Sequence, residues 1–158
     1  KTIIIHSNLD FERIAMGEEI EEFGEFINKI KEAILKIGLP AFLRSGYTSN
    51  KHNWERSCFV DSVNKIEEHI FNICEFSALM TIDRFSPCDF WAIREVIKTK
   101  SYLTYFQGNM PITTEMRVFI KNGKIECKHH YWDRKAFGND IDEKAFSELK
   151  KLSKEDDK

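Results

Sequence analysis

The sequence has little glycine or proline and almost no net charge of either sign. Seven of its 158 residues are Gly and three are Pro, whereas 42% are hydrophobic and 13% aromatic. A chain of this composition buries enough apolar surface to offset the entropy lost on folding, which excludes a disordered or low-complexity protein. The length favours one globular domain, with only the last few residues expected to be disordered.

The charge balance excludes a long-range electrostatic pull on nucleic acid or lipid. There are 24 Lys and Arg against 26 Asp and Glu, a net charge of -2. Any basic site must therefore be local. Apolar runs are too short to cross a bilayer, and Ile3–Ile5 is followed by polar residues rather than a signal-peptide core. We expect a soluble cytoplasmic protein with no nucleic-acid or membrane partner.

Several catalytic and metal-binding motifs are missing. The four cysteines (Cys58, Cys74, Cys88 and Cys127) include no C-x-x-C pair, so they are expected to be reduced, buried thiols. The sequence contains neither a Walker A motif nor a G-x-S-x-G elbow. A P-loop ATPase and a serine hydrolase are thus both unsupported.

Hydrophobic periodicity predicts three helices. The first ends at Gly38, before Pro40, and the second has Asp61 as its N-cap. The third begins with the capping box Asp140-x-x-Glu143. Their apolar positions are Ile20, Phe23, Ile27, Ile30, Ile34 and Ile37; Val63, Ile66, Ile70, Ile73 and Met80, with Ser77 in the gap; and Ala145, Phe146, Leu149 and Leu152.

Short apolar runs predict the strands. Residues 2–5 are expected to form a buried strand, and residues 41–44 and 58–60 two more. Residues 90–97 form a long apolar run typical of a central strand buried on both sides. Residues 115–121 and 124–131 flank Asn122-Gly123, which is a strong hairpin signal.

The hairpin predicts a local cationic site. A two-residue turn with regular pairing places Arg117 opposite Lys128 on a polar face, where an anion such as phosphate would offset their repulsion. The alternative is a solvated face with Glu115 and Glu126 as partners. The same pairing places Cys127 and His129 on the apolar, core-facing side and His130 on the other. This separation argues against a metal site.

Two further places carry cations that lack an obvious partner. Arg44 ends a strand and is followed by a Gly/Ser/Thr/Asn loop bearing Lys51, which together could hold a polyphosphate; an ordinary surface loop is the alternative. Arg94 lies within the apolar run of residues 90–97, where a buried charge requires a ligand or a structural carboxylate partner.

Taken in order, these segments resemble the ATP-grasp superfamily. Residues 39–54 (LPAFLRSGYTSNKHNW) resemble the phosphate-contacting strand and loop of the clade in which arginine replaces the first nucleotide-binding lysine. Residues 90–97 (FWAIREVI) resemble its adenine hinge strand, and residues 115–124 (EMRVFIKNGK) its following hairpin. The similarity spans residues 39–132 and extends remotely to the cell-division-cycle-123 proteins.

The resemblance implies an α+β fold with a mixed or antiparallel sheet, packed helices and a bound ATP with Mg²⁺. Arg44 and Lys51 would neutralise the α- and β-phosphates, while Arg94 and Arg117 would reach the triphosphate. The adenine edge would meet the backbone of residues 95–97. The full set of implied nucleotide-binding residues is Arg44, Lys51, Arg94, Glu95, Val96, Ile97, Glu115, Arg117 and Lys128; of these, Lys128 follows from the hairpin pairing.

The resemblance implies three segments: an N-terminal strand and helix (1–38), a nucleotide-binding core (39–132) and a C-terminal loop and helix (133–158). The family's later metal-binding strands, with an Asp and a Glu-x-Asn pair, have no counterpart before residue 158. We therefore expect either a truncated domain, which the fading last helix favours, or weak nucleotide binding without chemistry. The functions left open are an ATP-dependent carboxylate–amine ligase, a non-catalytic ATP-binding assembly factor and an interaction domain without nucleotide.

Overall fold

The computed structural model describes residues 1–81, 89–138 and 141–155, and the chain forms two compact units, Lys1–Ile97 and Lys98–Lys158. The strand pairs among these residues are antiparallel, and helices accompany them. This arrangement confirms the predicted α+β class. The boundary after Ile97 lies within the segment 39–132 that the resemblance treats as one core.

The first unit contains a four-stranded antiparallel sheet. Its strands are β1 (Thr2–His6), β2 (Ala41–Ser45), β3 (Phe59–Val60) and β4 (Phe90–Glu95), in the order β1-β4-β2-β3. The predicted strands are therefore present. However, β1 is an edge strand rather than a fully buried one, and Ile4 remains 49% exposed. Its residues alternate between exposed and half-buried because helices cover one face of the sheet.

Strand β4 is central, as its apolar run predicts, because it pairs with β1 on one side and β2 on the other. Trp91, Ala92 and Ile93 are buried. The expectation that the whole run is buried on both sides is wrong, since Arg94 and Glu95 are exposed. Burial therefore ends before the strand does.

Three helices cover one face of this sheet and complete the core. They are α1 (Phe11–Ala15), α2 (Phe23–Ile37) and α3 (Ile66–Thr81). Helix α2 ends where predicted, at Gly38, whose φ of 95° favours glycine. Helix α1 is too short to show a helical period, and Asp10 caps it by accepting from the Glu12 N–H at 2.9 Å. Fully buried core residues include Ile30, Ile34, Leu43, Val60, Ile66, Ile70, Ile73, Trp91 and Ile93.

The approach to α3 differs from the prediction by one residue. Ser62 caps the short 3₁₀ helix Val63–Lys65 that leads into α3, and its Oγ accepts from the Asn64 N–H at 3.3 Å. Asp61, expected to be the cap, instead pairs with Lys65 at 3.3 Å. Either side chain is a good N-cap by chemistry, so backbone geometry decided between them.

The second unit contains two two-stranded sheets and a helix. Strands β5 (Ser101–Tyr105) and β6 (Met110–Thr113) pair with each other, as do β7 (Met116–Lys121) and β8 (Lys124–His130), and α4 spans Glu143–Glu155. Its core is an aromatic cluster that includes Tyr105, Phe106, Trp132, Phe137 and Phe146.

Two side chains bear on the predicted capping of α4. The Asp142 carboxylate accepts from the Lys144 and Ala145 N–H groups at 2.9 and 3.3 Å, which caps the helix. Asp140, the predicted cap, lies outside the described residues, as does Cys88. The helix nevertheless begins at Glu143, close to the predicted start.

The hairpin of β7 and β8 forms around Asn122-Gly123, but its register changes partway along. Lys121 faces Lys124 and Ile120 faces Ile125, after which a bulge leaves Glu126 unpaired and brings Phe119 opposite Cys127. The expected pairing of Arg117 with Lys128 is therefore wrong, because it assumed a regular ladder. Arg117 faces His129, and Lys128 faces Val118.

The expected burial of one hairpin face is also wrong. Val118 is 43% exposed, and the two residues next to the turn, Ile120 and Ile125, are 67% and 65% exposed. The exposed fraction of Phe119 is 47%. The strands thus form a ladder without a covering layer among the described residues.

The described cysteines are free thiols in two different environments. Cys58 and Cys74 are buried, as expected, whereas Cys127 is exposed on the hairpin. No described helix is both long and apolar enough to traverse a bilayer.

Candidate functional site

The side of the first unit's sheet that faces away from the helices carries two of the predicted phosphate-binding cations. Residues two apart on a strand share a face, so Phe42 and Arg44 of β2 lie on the same side. Their partners across β4 are Arg94 and Ala92. The core cluster instead uses Ala41, Leu43, Trp91 and Ile93. We use the name open face for the side of the sheet formed by Phe42, Arg44, Phe59, Ala92 and Arg94, on which Phe42 and Ala92 are buried and Arg94 is exposed.

Arg44 and Arg94 are diagonal neighbours on the open face. Arg44 pairs with Ala92, and Arg94 lies two residues further along the same strand. Diagonal positions in an antiparallel ladder are about 7 to 8 Å apart, within reach of long side chains. Two segments separated by some fifty residues of sequence therefore bring like charges onto one surface.

Arg44 is half-buried and anchored to the loop that follows it. Its Nε donates to the Ser45 carbonyl at 2.9 Å and Nη2 to the Tyr47 carbonyl at 3.4 Å. A guanidinium has five N–H groups, so this anchoring leaves others available to a ligand. The hydrogen bonds orient Arg44 toward the polar loop rather than into the core.

Arg94 is exposed, which removes the burial cost inferred for it from the sequence. Its guanidinium carbon lies 4.5 Å from the centroid of the Phe42 ring, a cation–π contact. In residues 1–81, 89–138 and 141–155, Arg94 makes no ion pair. Glu95 is directed to the other face and pairs with the Lys1 amino group at 2.9 Å.

The polar loop after β2 has a defined conformation. The Ser45 hydroxyl accepts from the Thr48 N–H at 2.9 Å and lies 3.0 Å from the Thr48 carbonyl. Asn50, with a left-handed φ of 48°, turns the chain into the 3₁₀ segment Lys51–Arg56. Local side-chain bonds of this kind preorganise a loop.

Trp54 attaches the Lys51–Arg56 segment to the open face. Its ring stacks on Phe59 with centroids 5.4 Å apart and an interplanar angle of 20°, and it lies 5.7 Å from the Phe42 ring. Phe42 thus contacts Trp54 on one side and Arg94 on another. Sequence periodicity did not identify this aromatic cluster, because it depends on which strands are neighbours.

Electrostatics link Lys51 to the same region. Burial raises the pKa of the Cys58 thiol to about 12, and the positive charges of Lys51 and Arg94 both oppose that rise. The pKa of His52 is lowered, first by burial and then by the neighbouring Lys51 charge.

The residues expected to meet adenine lie at the end of the first unit. The Glu95 N–H donates to the Lys1 carbonyl at 3.2 Å. Val96 is half-buried, and Ile97 is 70% exposed. These three residues follow directly from the strand that carries Arg94.

The remaining predicted residues belong to the second unit. The Arg117 guanidinium carbon lies 4.7 Å from the centroid of the Tyr131 ring. Glu115 accepts from the Thr113 hydroxyl at 3.0 Å. Because of the bulge, the side chain opposite Lys128 is that of Val118, and Arg117 shares its face with His129.

A separate cavity of about 500 Å³ lies beside β1 and α2. Its lining includes Arg13 and Lys29, which pair with Glu18 and Glu25, both at 2.7 Å. It includes none of the predicted nucleotide-binding residues. Its cations are already neutralised, so we do not assign phosphate to it.

No three His, Cys, Asp or Glu side chains in the described part of the chain are grouped so as to hold a metal ion. No protein-family model, curated protein or solved structure matches the chain.

Proposed function

We propose that this protein binds ATP through the open face and the Lys51–Arg56 segment, as an ATP-grasp-like protein. The observation that carries the proposal is the diagonal placing of Arg44 and Arg94 on one side of the sheet, to which Trp54 attaches the segment that begins with Lys51. Like charges at diagonal positions repel, and a polyphosphate offsets that repulsion with charge-assisted hydrogen bonds.

Each cation has a distinct part in this proposal. Arg44 and Lys51 bind the α- and β-phosphates, and Arg94 extends toward the triphosphate. The backbone of residues 95–97, including Val96, meets the adenine edge. The resemblance also implies Glu115, Arg117 and Lys128, which belong to the second unit, and the proposed site rests on the residues of the first unit. Mg²⁺ bound to the nucleotide would neutralise phosphate charge, and no group of described side chains is arranged to hold the ion without the nucleotide.

The reaction class proposed for this site is ATP-dependent joining of a carboxylate to an amine. In this chemistry, phosphorylation of the carboxylate creates a leaving group that the amine displaces, and the protein contributes positioning and charge stabilisation. The arginines suit that task, since their planar N–H groups match phosphate oxygens and remain charged at any physiological pH.

The exposed hairpin favours a second candidate, a non-catalytic assembly factor in which nucleotide organises a surface that grips a partner protein. Val118, Phe119, Ile120 and Ile125 are all more than two-fifths exposed. Clustered apolar side chains at a surface are typical of protein interaction sites. An interaction domain that binds no nucleotide remains the third candidate.

Calorimetric titration with Mg-ATP tests the site. We expect the Arg44→Ala, Lys51→Ala double variant to bind at least roughly tenfold more weakly, because each charged hydrogen bond lost is worth about 1.5 to 3 kcal/mol. The matched control is Lys29→Ala, Lys65→Ala, which removes the same charge from residues already paired with Glu25 and Asp61.

Four outcomes test the site and separate the candidates. Equal heats in the wild type and the Arg44/Lys51 variant would remove the site, and no heat in the wild type would favour the interaction domain. Binding accompanied by ADP release, when mixed carboxylates and amines are supplied, favours the ligase. Binding without release under those conditions favours the assembly factor.

A further inference from the structure

His69 is a buried histidine whose Nδ1 contacts a backbone carbonyl and whose Nε2 has no hydrogen-bond partner among the described residues. It lies on α3 and is 1% exposed. Its Nδ1 is 2.7 Å from the Ser57 carbonyl oxygen, while Nε2 is buried and has no hydrogen-bond partner among residues 1–81, 89–138 and 141–155. A carbonyl oxygen only accepts, so Nδ1 carries the proton and Nε2 presents a bare lone pair.

Ser57 is the residue that closes the segment bearing Lys51. Its Oγ lies 2.7 Å from the Asn50 carbonyl and 2.6 Å from the Asn53 carbonyl. Asn72 of α3 supports the same segment, since its carbonyl accepts from Asn50 Nδ2 at 3.2 Å. Hydrogen bonds thus run from α3 through Ser57 to both sides of Lys51.

We infer that His69 is a positioning residue that holds the Lys51–Arg56 segment against α3 through the Ser57 carbonyl, and that protonation of its ring releases the segment. This inference deepens the proposed function, on which its consequence for ATP rests. When the segment is released, Lys51 is no longer fixed beside the open face.

The chemistry of the ring explains the release. A second proton would place an N–H at Nε2, where the described part of the chain offers no acceptor, and a positive charge in a buried site. An opened segment exposes the ring to water, which satisfies both N–H groups. Protonation therefore favours the open form.

The surrounding charges modify this effect without reversing it. Burial is the main cause of the lowered pKa of His69; the Ser57 bond, Glu68 and Asp61 act to raise it, and Lys65 to lower it. Glu68 is itself paired with Arg56 at 2.8 Å, which weakens its attraction for a proton on His69.

The sign of the pH dependence follows from linkage. The closed form has a pKa below the ordinary histidine value of about 6.5, so the open form takes up the proton first as pH falls. The closed segment is therefore fully favoured above that pH and progressively lost below it.

Nuclear magnetic resonance of the whole chain tests the coupling directly. Amide signals of residues 46–57 and the ring signals of His69 are followed from pH 8 to pH 5. We expect the amide shifts to follow the His69 titration in the wild type. In His69→Asn, whose Nδ2 occupies the place of Nδ1 but does not titrate, the part of the pH dependence linked to His69 should vanish while the segment stays closed.

His52 lies within the segment and also titrates, so His52→Asn is the matched control and should retain the His69-linked shifts. His69→Gln, equally unable to titrate, replaces His69→Asn if the latter fails to fold. In the His52→Asn background, amide shifts that persist after His69 is also replaced, or that do not follow the His69 ring when it is present, would overturn the coupling.

Mg-ATP titrations at pH 7.5 and 5.5 connect the coupling to the site. Because ATP titrates too, the comparison is between proteins: we expect the wild type to lose roughly tenfold more affinity than His69→Asn on acidification. If the amide shifts follow His69 but ATP binds neither protein, the coupling stands and the proposed function fails. If the ATP affinities of the wild type and His69→Asn have the same pH dependence, the regulatory role of His69 is refuted, whereas the ATP site stands.

Discussion

At the scale of single residues, environment separates cysteines that the sequence presents alike. Cys58 and Cys74 lie in the first unit's interior, where burial raises the pKa of both thiols, that of Cys58 to about 12. Cys127 is exposed on β8. The thiolate is the reactive form, so burial suppresses reactivity by excluding reagents and by retaining the proton.

We therefore predict that iodoacetamide modifies Cys127 of the native protein at least tenfold faster than Cys58 or Cys74 at pH 7.5. Site-resolved mass spectrometry of a time course measures each rate. The internal control is the same series in denaturant, where the three rates should converge. Rapid native modification of Cys58 would show that the interior opens more readily than its burial implies.

Arg94 illustrates the same point for charge. Its place in an apolar run indicated a buried cation in need of a partner. In the fold, the last two residues of β4 are exposed, and Arg94 rests on the Phe42 ring. Arg94 is therefore a candidate binding residue because it shares a face of the sheet with Arg44, and not because a buried charge needs a partner.

At the scale of elements, one unpaired residue determines which side chains share a face of the hairpin. The bulge at Glu126 brings Cys127 and His129 opposite Phe119 and Arg117. The His129 and Phe119 rings are accordingly 5.6 Å apart. Because side chains alternate along a strand, an inserted residue exchanges the two faces for everything beyond it.

Deletion of Glu126 should remove the bulge and leave the pairs farther from the turn, such as Phe119 with Cys127, unchanged. Without Glu126, the two strands have the same number of residues between the turn and these pairs, so they form a regular ladder. Cross-strand nuclear Overhauser contacts between Arg117 and His129 should appear in both the wild type and the deletion variant.

Deletion of Lys128 serves as the control, because it shortens the strand equally but keeps the bulge residue. Contacts in the wild type between Arg117 and Lys128, instead of His129, would contradict the bulge and restore the regular register.

At the scale of the whole molecule, the first unit holds both a complete helix-backed sheet and the proposed phosphate-binding cations. Its core cluster draws on β1 to β4 and on α1, α2 and α3, all within Lys1–Ile97. A unit with its own hydrophobic core is expected to fold alone.

We predict that a fragment ending at Ile97 unfolds cooperatively in urea and retains dispersed amide signals. The Lys51–Arg56 segment should also remain closed in the fragment, since Asn50, Ser57 and His69 belong to this unit. Circular dichroism and amide spectra check both statements. The control is the same fragment with Ile30→Ala, which opens a cavity in the core and should lower stability by about 2 to 5 kcal/mol. A collapsed but non-cooperative fragment would contradict the prediction.

What the sequence by itself determined are features set by local chemistry and periodicity. The α+β class, the end of α2 at Gly38, the buried stripe of α3 and the Asn122-Gly123 turn all follow from spacing or from a residue's backbone preference. Neighbours along the chain control these features, so the sequence contains the necessary information in readable form.

Only the tertiary structure decided which distant side chains meet. The strand order β1-β4-β2-β3 brings Arg94 beside Arg44, and Trp54 attaches the Lys51–Arg56 segment to the same side of the sheet. The hairpin bulge and the exposure of Arg94 likewise could not be predicted from the local sequence pattern. Each depends on the balance of pairing, packing and solvation over the whole unit, which no short stretch of sequence expresses.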